Sequence, residues 1–132
     1  MTASEIQEAV ATRLPRRYEP LNLTFYGREC EPDGEYLIIG YDYGTNFCVA
    51  FTDGSIYAVD PWGRLDTRFM NSGVEQLAKF IETCDSLPPA ADRPPEVLAR
   101  ELRKALEPVD PKAFADPENW WAVVVEQVGY GL

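Results

Sequence analysis

Two short β-strand runs, joined by an Asp-Gly pair and followed by an amphipathic helix, constrain the fold more than any other feature of this chain. Residues 47–51 and 55–59 are rich in the β-branched and aromatic residues that suit a buried, pleated surface. Asp53 and Gly54 lie between them, and such a pair is typical of a tight hairpin turn in which both central residues adopt positive φ. The pattern therefore predicts two neighbouring antiparallel strands.

Further elements are predicted on both sides of this hairpin. An apolar run at residues 36–40 precedes it, and a short run at residues 67–70 follows it after the turn-forming residues 61–63. Ser72 has Glu75 three residues after it, which is the pattern of a capping box, and apolar residues follow at helical spacing. The sequence predicts that a helix begins directly after Ser72, with that serine as its cap.

Helices are also predicted toward both ends of the chain. Apolar residues at helical spacing indicate helices over residues 4–14, 96–107 and 117–128. Residues 29–35 are polar and contain Pro and Gly, so we expect an irregular connection there, and the proline-rich residues 86–95 predict a loop within the domain. The sequence as a whole predicts one α+β domain, with an antiparallel-rich mixed sheet flanked by N-terminal and C-terminal helices.

Length and charge limit the classes of partner. The 132 residues, of which 45% are hydrophobic, are enough for a single domain, residues 1–132, with a buried core. The net charge of −10 disfavours nucleic acid and anionic membranes as direct partners and permits a basic protein. The sequence contains no run of roughly 18 apolar residues and no basic, apolar start typical of a signal peptide. We therefore expect a cytoplasmic protein.

Residue types that commonly carry chemistry are scarce. The sequence contains no histidine, and its three cysteines are widely spaced without a paired motif, which favours reduced thiols over a disulfide framework or a metal site. No glycine-rich phosphate-binding motif is present. We therefore expect no cofactor, no metal, no catalytic residues and no enzymatic activity.

The acidic residues are unevenly distributed. Residues 29–63 contain seven acidic side chains and no Lys or Arg. Such a segment predicts an acidic docking surface for a basic partner, with Glu31, Asp33 and Asp42 as its candidate residues. The alternative interpretation is a set of solvated turns.

Aromatic residues supply further candidates for partner binding. Tyr41 and Tyr43 flank Asp42 in a predicted strand-exit loop, a composition enriched in the centres of interfaces, although ordinary loop packing is the alternative. Trp120 and Trp121 are adjacent in the last predicted helix, where neighbouring side chains point about 100° apart. We expect Trp120 to lie in the core and Trp121 to be exposed enough to contact a partner.

The order of these segments resembles the SUKH superfamily, and in particular its fourth family of bacterial immunity proteins. The residues that carry the resemblance are Gly40, residues 44–48, residues 53–60, residues 69–72 and the Trp120-Trp121 pair. The resemblance implies a SUKH-like fold and a protein that binds and neutralises a cognate polymorphic bacterial toxin, often a nuclease or a nucleic-acid deaminase. It implies no catalytic residues.

Three functional hypotheses follow. The first is an immunity protein that blocks a basic toxin by protein–protein contact without a cofactor. The second is a non-enzymatic scaffold or regulatory module of the same fold, because the wider superfamily also includes eukaryotic signalling-associated members. The third is an enzyme acting on a small molecule, for which a deep polar pocket would be needed. A toxin gene next to this one would favour the first over the second.

Overall fold

The computed structural model describes residues 1–87 and 93–132, so residues 88–92 of the predicted proline-rich loop lie outside the described residues. The helices are α1 (Ala3–Arg13), α2 (Val74–Ser86), α3 (Pro95–Leu106) and α4 (Trp120–Gly129), with two short 3₁₀ helices, Glu19–Leu21 and Pro111–Phe114. The strands are β1 (Arg17–Tyr18), β2 (Leu23–Phe25), β3 (Glu31–Asp33), β4 (Tyr36–Tyr41), β5 (Asn46–Ala50), β6 (Ile56–Val59) and β7 (Arg68–Asn71).

The described strands form one antiparallel sheet in the order β1-β2-β4-β5-β6-β7. β2 and β3 lie on the same side of β4: β3 pairs with the first half of β4, and β2 pairs with its second half. The predicted hairpin is confirmed, since β5 and β6 pair from Asn46 with Val59 to Val49 with Ile56. The α+β fold predicted from the sequence is therefore confirmed.

The turn of this hairpin is wider than a two-residue turn. Gly54 has a φ of 80°, but Asp53 is not among the residues with positive φ. The Gly54 N–H donates to the Ala50 carbonyl oxygen at 2.9 Å, and the Asp53 carboxylate accepts from the Ser55 N–H at 2.9 Å. The prediction that both central residues have positive φ is wrong, and Asp53 instead stabilises the turn through its side chain.

The connection predicted at residues 29–35 contains a strand. Glu31–Asp33 pairs with β4, and Gly34 makes the turn between them with a φ of 59°. All three residues of β3 are exposed, and none of them needs to be an apolar residue that faces the core. The sequence therefore lacks the apolar alternation from which a strand is predicted. Pro32, which lacks an N–H, is tolerated because β3 lies at an edge of the sheet.

The core lies between one face of the sheet and the helices. Inward-facing residues of β2, β4, β5, β6 and β7 belong to the same hydrophobic cluster as buried residues of all four helices. The fully buried large side chains are Ile6, Leu23, Phe25, Leu37, Ile39, Phe47, Ile56, Met70, Leu77, Phe80, Leu106 and Trp121. Cys48 is also buried, but it lies outside this cluster because it alternates with Phe47 and Val49.

Two β-bulges change which face the following side chains occupy. In β4, Ile38 pairs with Cys48 and Gly40 pairs with Phe47, so one extra residue is inserted between them. Gly40 therefore faces the core, where an added Cβ would lie 2.2 Å from the Thr24 carbonyl oxygen. Because of this bulge, Tyr41 lies on the opposite face of the sheet.

The first bulge directs the side chain after it away from the core, whereas the second, between β6 and β7, directs a polar side chain into the core. Tyr57 pairs with Phe69 whereas Ile56 pairs with Asn71, so Met70 is the extra residue of β7. Met70 and Asn71 are consequently both fully buried. Asn71 is thereby placed among polar groups of the C-terminal part of the chain.

A buried hydrogen-bond network joins β7 to the C-terminal helices. The Asp110 carboxylate, 3% exposed, accepts from the Ser72 N–H and the Ser72 hydroxyl, both at 2.7 Å, and from the Asn71 amide at 3.2 Å. The Asn71 side-chain oxygen accepts from Trp121 Nε1 at 2.8 Å. The prediction of Ser72 as a helix cap is therefore wrong: α2 begins at Val74 after Gly73 without a side-chain cap, and Ser72 binds Asp110 instead.

The Asp110 network generates a stability prediction. Asp110→Ala would leave buried donors of Asn71 and Ser72 without an acceptor, and we expect it to lower the free energy of unfolding by about 3 kcal/mol. Urea denaturation followed by tryptophan fluorescence measures the change. Asp85→Ala, at an exposed position of α2, removes the same group and should cost less than about 0.5 kcal/mol. Equal effects of the two substitutions would contradict a special role of Asp110.

The three thiols generate a pH prediction. Burial raises the pKa of Cys30, Cys48 and Cys84 to about 11 in each case. The folded protein then keeps these protons between about pH 9 and pH 11 while the unfolded chain releases them, so stability should fall as pH rises through this window. Urea midpoints at both ends of the window measure the loss.

A variant with all three cysteines replaced by alanine is the control for the thiols. Tyrosines whose pKa is also raised by burial contribute equally to both proteins. The variant should therefore lose less stability than the parent across the same window, and an identical loss would contradict the prediction.

Candidate partner-binding surface

The face of the sheet opposite the helices is not covered by the part of the chain that the structure describes. Its strand residues alternate with the inward-facing ones and do not belong to the core cluster; Tyr41 is exposed, and the others named below are half-buried. We call this surface the open face, and it consists of Tyr36, Ile38, Tyr41, Asn46, Tyr57, Val59 and Phe69.

Aromatic rings form a row across the open face. The Tyr36 and Tyr57 rings have centroids 6.0 Å apart, and the Tyr57 and Phe69 rings are 5.8 Å apart in an edge arrangement. At the other end of β4, Tyr41 is 42% exposed and lies 5.8 Å from the ring of Tyr26. Rings that pack on one another in this way are held in place before a partner arrives, which lowers the entropic cost of binding.

Acidic side chains lie along one edge of the open face. Glu31 pairs with Ile38 and Asp33 pairs with Tyr36, so both acidic side chains are on this face. Both are exposed, and neither takes part in a salt bridge among the described residues. We call Glu31 and Asp33 the acidic edge. Two of the acidic residues selected from the sequence therefore lie beside the aromatic row.

The other candidates in the β4–β5 turn lie away from the open face. Tyr43 is 90% exposed at the tip of the turn. Asp42 is half-buried and lies on the helix side of the sheet, where its carboxylate accepts from the Thr45 N–H at 3.3 Å. The structure thus divides the predicted residues of this region into two sets: one set on the open face and its edge, the other at the end of the hairpin.

A groove begins beside Asp42, and we call it the terminal groove. It has a volume of about 410 Å³ and runs between the β4–β5 turn, the segment that joins β6 to β7, and α4. Its lining consists of Pro20, Leu21, Asp42, Tyr43, Thr45, Ala58, Asp60, Leu65, Asp66, Arg68, Trp120, Val123, Val124, Gln127, Val128 and Leu132. The lining is mainly apolar, with three acidic residues and one basic residue.

Two of the groove aspartates have different environments. Burial raises the pKa of Asp42, while hydrogen bonds from the backbone of Thr45 and Gly44 and from the Trp120 and Thr45 side chains act in the opposite direction. Asp60 is bound by the backbone N–H groups of Trp62, Arg64 and Leu65 at 2.9 to 3.1 Å, and these bonds lower its pKa. The carboxylate of Asp60 therefore holds the loop after β6, whereas that of Asp42 lies between its own turn and the Trp120 side chain.

The two tryptophans of α4 have exchanged roles relative to the prediction. Trp121 is fully buried, against Phe80 at 5.1 Å between ring centroids, and its Nε1 binds Asn71. Trp120 is half-buried, with its ring edge-on to Phe47 at 5.6 Å and its remaining surface in the terminal groove. Trp121 cannot contact a partner from this position, and Trp120 is the tryptophan that the groove presents.

Metal binding and thiol chemistry can be compared directly with the described residues. They contain no group of three or more His, Cys, Asp or Glu side chains that could hold a metal ion. The raised pKa of each thiol, about 11, disfavours the reactive thiolate near neutral pH. No helix among the described residues is both long and apolar enough to span a bilayer.

Comparison with known proteins identifies the family. The model of the SUKH-4 immunity protein family matches residues 27–127, which is most of the chain. The chain belongs to this family, so the resemblance expected from the sequence is confirmed. No curated protein and no solved structure matches the chain. The matched residues include the open face, the acidic edge and most of the terminal groove.

Proposed function

We propose that this protein neutralises a cognate protein toxin by direct contact through the open face and the acidic edge. The observation that carries the proposal is a row of aromatic rings that no described residue covers, bordered by acidic side chains that form no salt bridge within residues 1–87 and 93–132. Aromatic residues supply most of the binding energy in many interfaces, and unpaired peripheral charges guide a partner of opposite sign. Membership of an immunity protein family supports a toxin as that partner.

The charge of the chain favours a basic toxin. A toxin that acts on nucleic acid, such as a nuclease or a deaminase, needs a positive surface to bind phosphates. A protein with a net charge of −10 attracts such a surface and can cover it, which would exclude the nucleic acid. We propose this occlusion as the mechanism, without catalysis and without a cofactor, in the cytoplasm, where three unpaired thiols would stay reduced.

Co-expression with the neighbouring reading frame tests the proposed function. We expect rescue of growth from the toxicity of that product and co-purification of the two proteins as a stable complex. Absence of both would contradict the proposal and favour the scaffold or regulatory role.

Charge reversal at the acidic edge generates a kinetic prediction. Glu31→Lys combined with Asp33→Lys should slow association with the toxin roughly tenfold at low salt and leave dissociation almost unchanged, because these charges are exposed. Added salt should reduce the difference between variant and parent, since it screens charges beyond about 8 Å at physiological strength. Surface plasmon resonance measures both rate constants.

A control variant changes the net charge by the same amount, but at sites away from the acidic edge. Asp85 and Glu126 are exposed on α2 and α4. Asp85→Lys combined with Glu126→Lys should slow association much less. An equal effect of the two double variants would show that only the total charge matters and that the acidic edge is not the binding site.

Removal of aromatic rings from the open face generates the complementary prediction. Tyr41→Ala combined with Tyr57→Ala should speed dissociation about 30-fold, because buried aromatic anchors act mainly on the dissociation rate. Tyr130→Ala, at a residue that is 73% exposed near the C-terminus, is the control and should not change it. Thermal melting confirms that the variants are folded. Unchanged dissociation of a folded double variant would place the interface elsewhere.

A further inference from the structure

The terminal groove lies outside the surface assigned to toxin binding above, yet it opens at the tip of the same hairpin. Tyr41 and Asn46 belong to the open face, and Asp42, Tyr43 and Thr45 of the turn between them line the groove. Resting on the proposed function, we propose that the terminal groove receives a cationic side chain of the toxin, an arginine, over the ring of Trp120 and beside Asp42.

The apolar wall of the groove suits the flat side of a guanidinium group. Trp120 is half-buried, and its ring is held edge-on by Phe47 at 5.6 Å and by Trp121 at 4.9 Å between centroids. Leu21 and Val124 also line the groove. A fixed indole of this kind attracts a cation placed over its face, and arginine adds planar stacking that lysine cannot provide.

The charges of the groove favour a cation over an anion. Asp42, Asp60 and Asp66 face one basic residue, Arg68. Asp60 is already bound by backbone N–H groups, whereas the donors that act on Asp42 are those of its own turn and the Trp120 side chain, and none of them carries a charge. Within residues 1–87 and 93–132, no salt bridge involves Asp42, Asp66 or Arg68. The half-buried carboxylate of Asp42 therefore lacks a cationic partner.

The same carboxylate argues against an apolar side chain in the groove. An apolar side chain would remove water from Asp42 without replacing the lost hydrogen bonds, and burial of an uncompensated charge is costly. A guanidinium group supplies both the opposite charge and several N–H donors. It would relieve the existing cost of burying Asp42 as it enters, which an apolar side chain cannot do.

The position of the groove is compatible with a single partner on both surfaces. The bulge in β4 directs Tyr41 to the open face, while Asp42 follows it on the helix side. Tyr43 is 90% exposed between the two surfaces. A toxin that covers the open face near Tyr41 can therefore extend one side chain around the hairpin tip into the groove.

A small-molecule titration tests the groove independently of the toxin. N-acetyl-argininamide, added to ¹⁵N-labelled protein, should shift the Trp120 indole and Thr45 amide signals and leave the Trp62 indole signal in place. The neutral N-acetyl-glutaminamide should not shift them, and Asp42→Asn should abolish the response. No response of the parent protein, or an equal response to the neutral compound, would overturn the proposal of a cation site.

Binding to the toxin tests the source of the cation. Asp42→Asn should weaken toxin binding about 30-fold, because neutralising one partner of a desolvated charge pair leaves the charge of the other uncompensated. Asp85→Asn, which changes the same group at an exposed site, should have little effect. A response to N-acetyl-argininamide combined with unchanged toxin affinity of Asp42→Asn would show that the groove does not hold a toxin side chain.

The two proposals can fail separately. If the parent protein neither binds the toxin nor rescues growth, the proposed function fails. If the parent binds and rescues while Asp42→Asn and Trp120→Leu bind with parental affinity, only the groove proposal fails. Circular dichroism and thermal melting establish that both variants are folded before the affinities are compared.

Discussion

The arrangement of sheet and helices depends on one buried carboxylate, that of Asp110. It has no cationic partner among the described salt bridges, and it accepts hydrogen bonds from Asn71 and Ser72. Asn71 ends β7, whereas Asp110 lies between α3 and the second 3₁₀ helix, so the interaction joins parts of the chain 38 and 39 residues apart. Such a network tolerates little displacement, because any donor that loses Asp110 stays buried and unsatisfied.

The position of the terminal groove follows from this network. Trp121 donates to the Asn71 side chain and is thereby fixed as the buried tryptophan of α4. The preceding side chain must point about 100° away around the helix, which places the Trp120 ring in the wall of the groove. The chemistry proposed for the groove therefore depends on a polar contact in the core, although no residue of that contact lines the groove.

The sequence was sufficient to predict the elements whose side chains repeat regularly. The pairing of β5 with β6 follows from two apolar runs around Asp53 and Gly54, and α3 follows from leucines at helical spacing. β3 could not be predicted, because its three residues are all exposed and Pro32 suggests a loop. Ser72 with Glu75 has the spacing of a capping box, but the local pattern contains no information about the competing acceptor, Asp110.

The candidate site was predictable only in part, and the two bulges explain why. Strict alternation in β4 would direct Tyr41 toward the core, and in β7 it would place Asn71 and Phe69 on the same face. Each bulge changes that order by one residue, and strict alternation therefore assigns the side chains that follow to the wrong face. The acidic segment did indicate Glu31 and Asp33, since charge depends on composition. The aromatic row was missed because sequence alternation shows which residues share a face but not which face the helices cover.

The acidic edge has a second physical consequence, which concerns the protein without its partner. An uncovered aromatic sheet face and an edge strand with free backbone groups both promote self-association. In this chain β3 carries Glu31, Pro32 and Asp33: the proline removes a donor from the edge, and the two acids repel the same edge of a second copy. The overall charge of −10 adds to that repulsion.

The same negative charges act in the opposite way on a basic surface, which they attract. The charges that oppose self-association therefore also favour binding of the proposed partner. The acidic residues thus disfavour the use of the aromatic face as a contact between identical chains, which keeps that face available for the proposed partner.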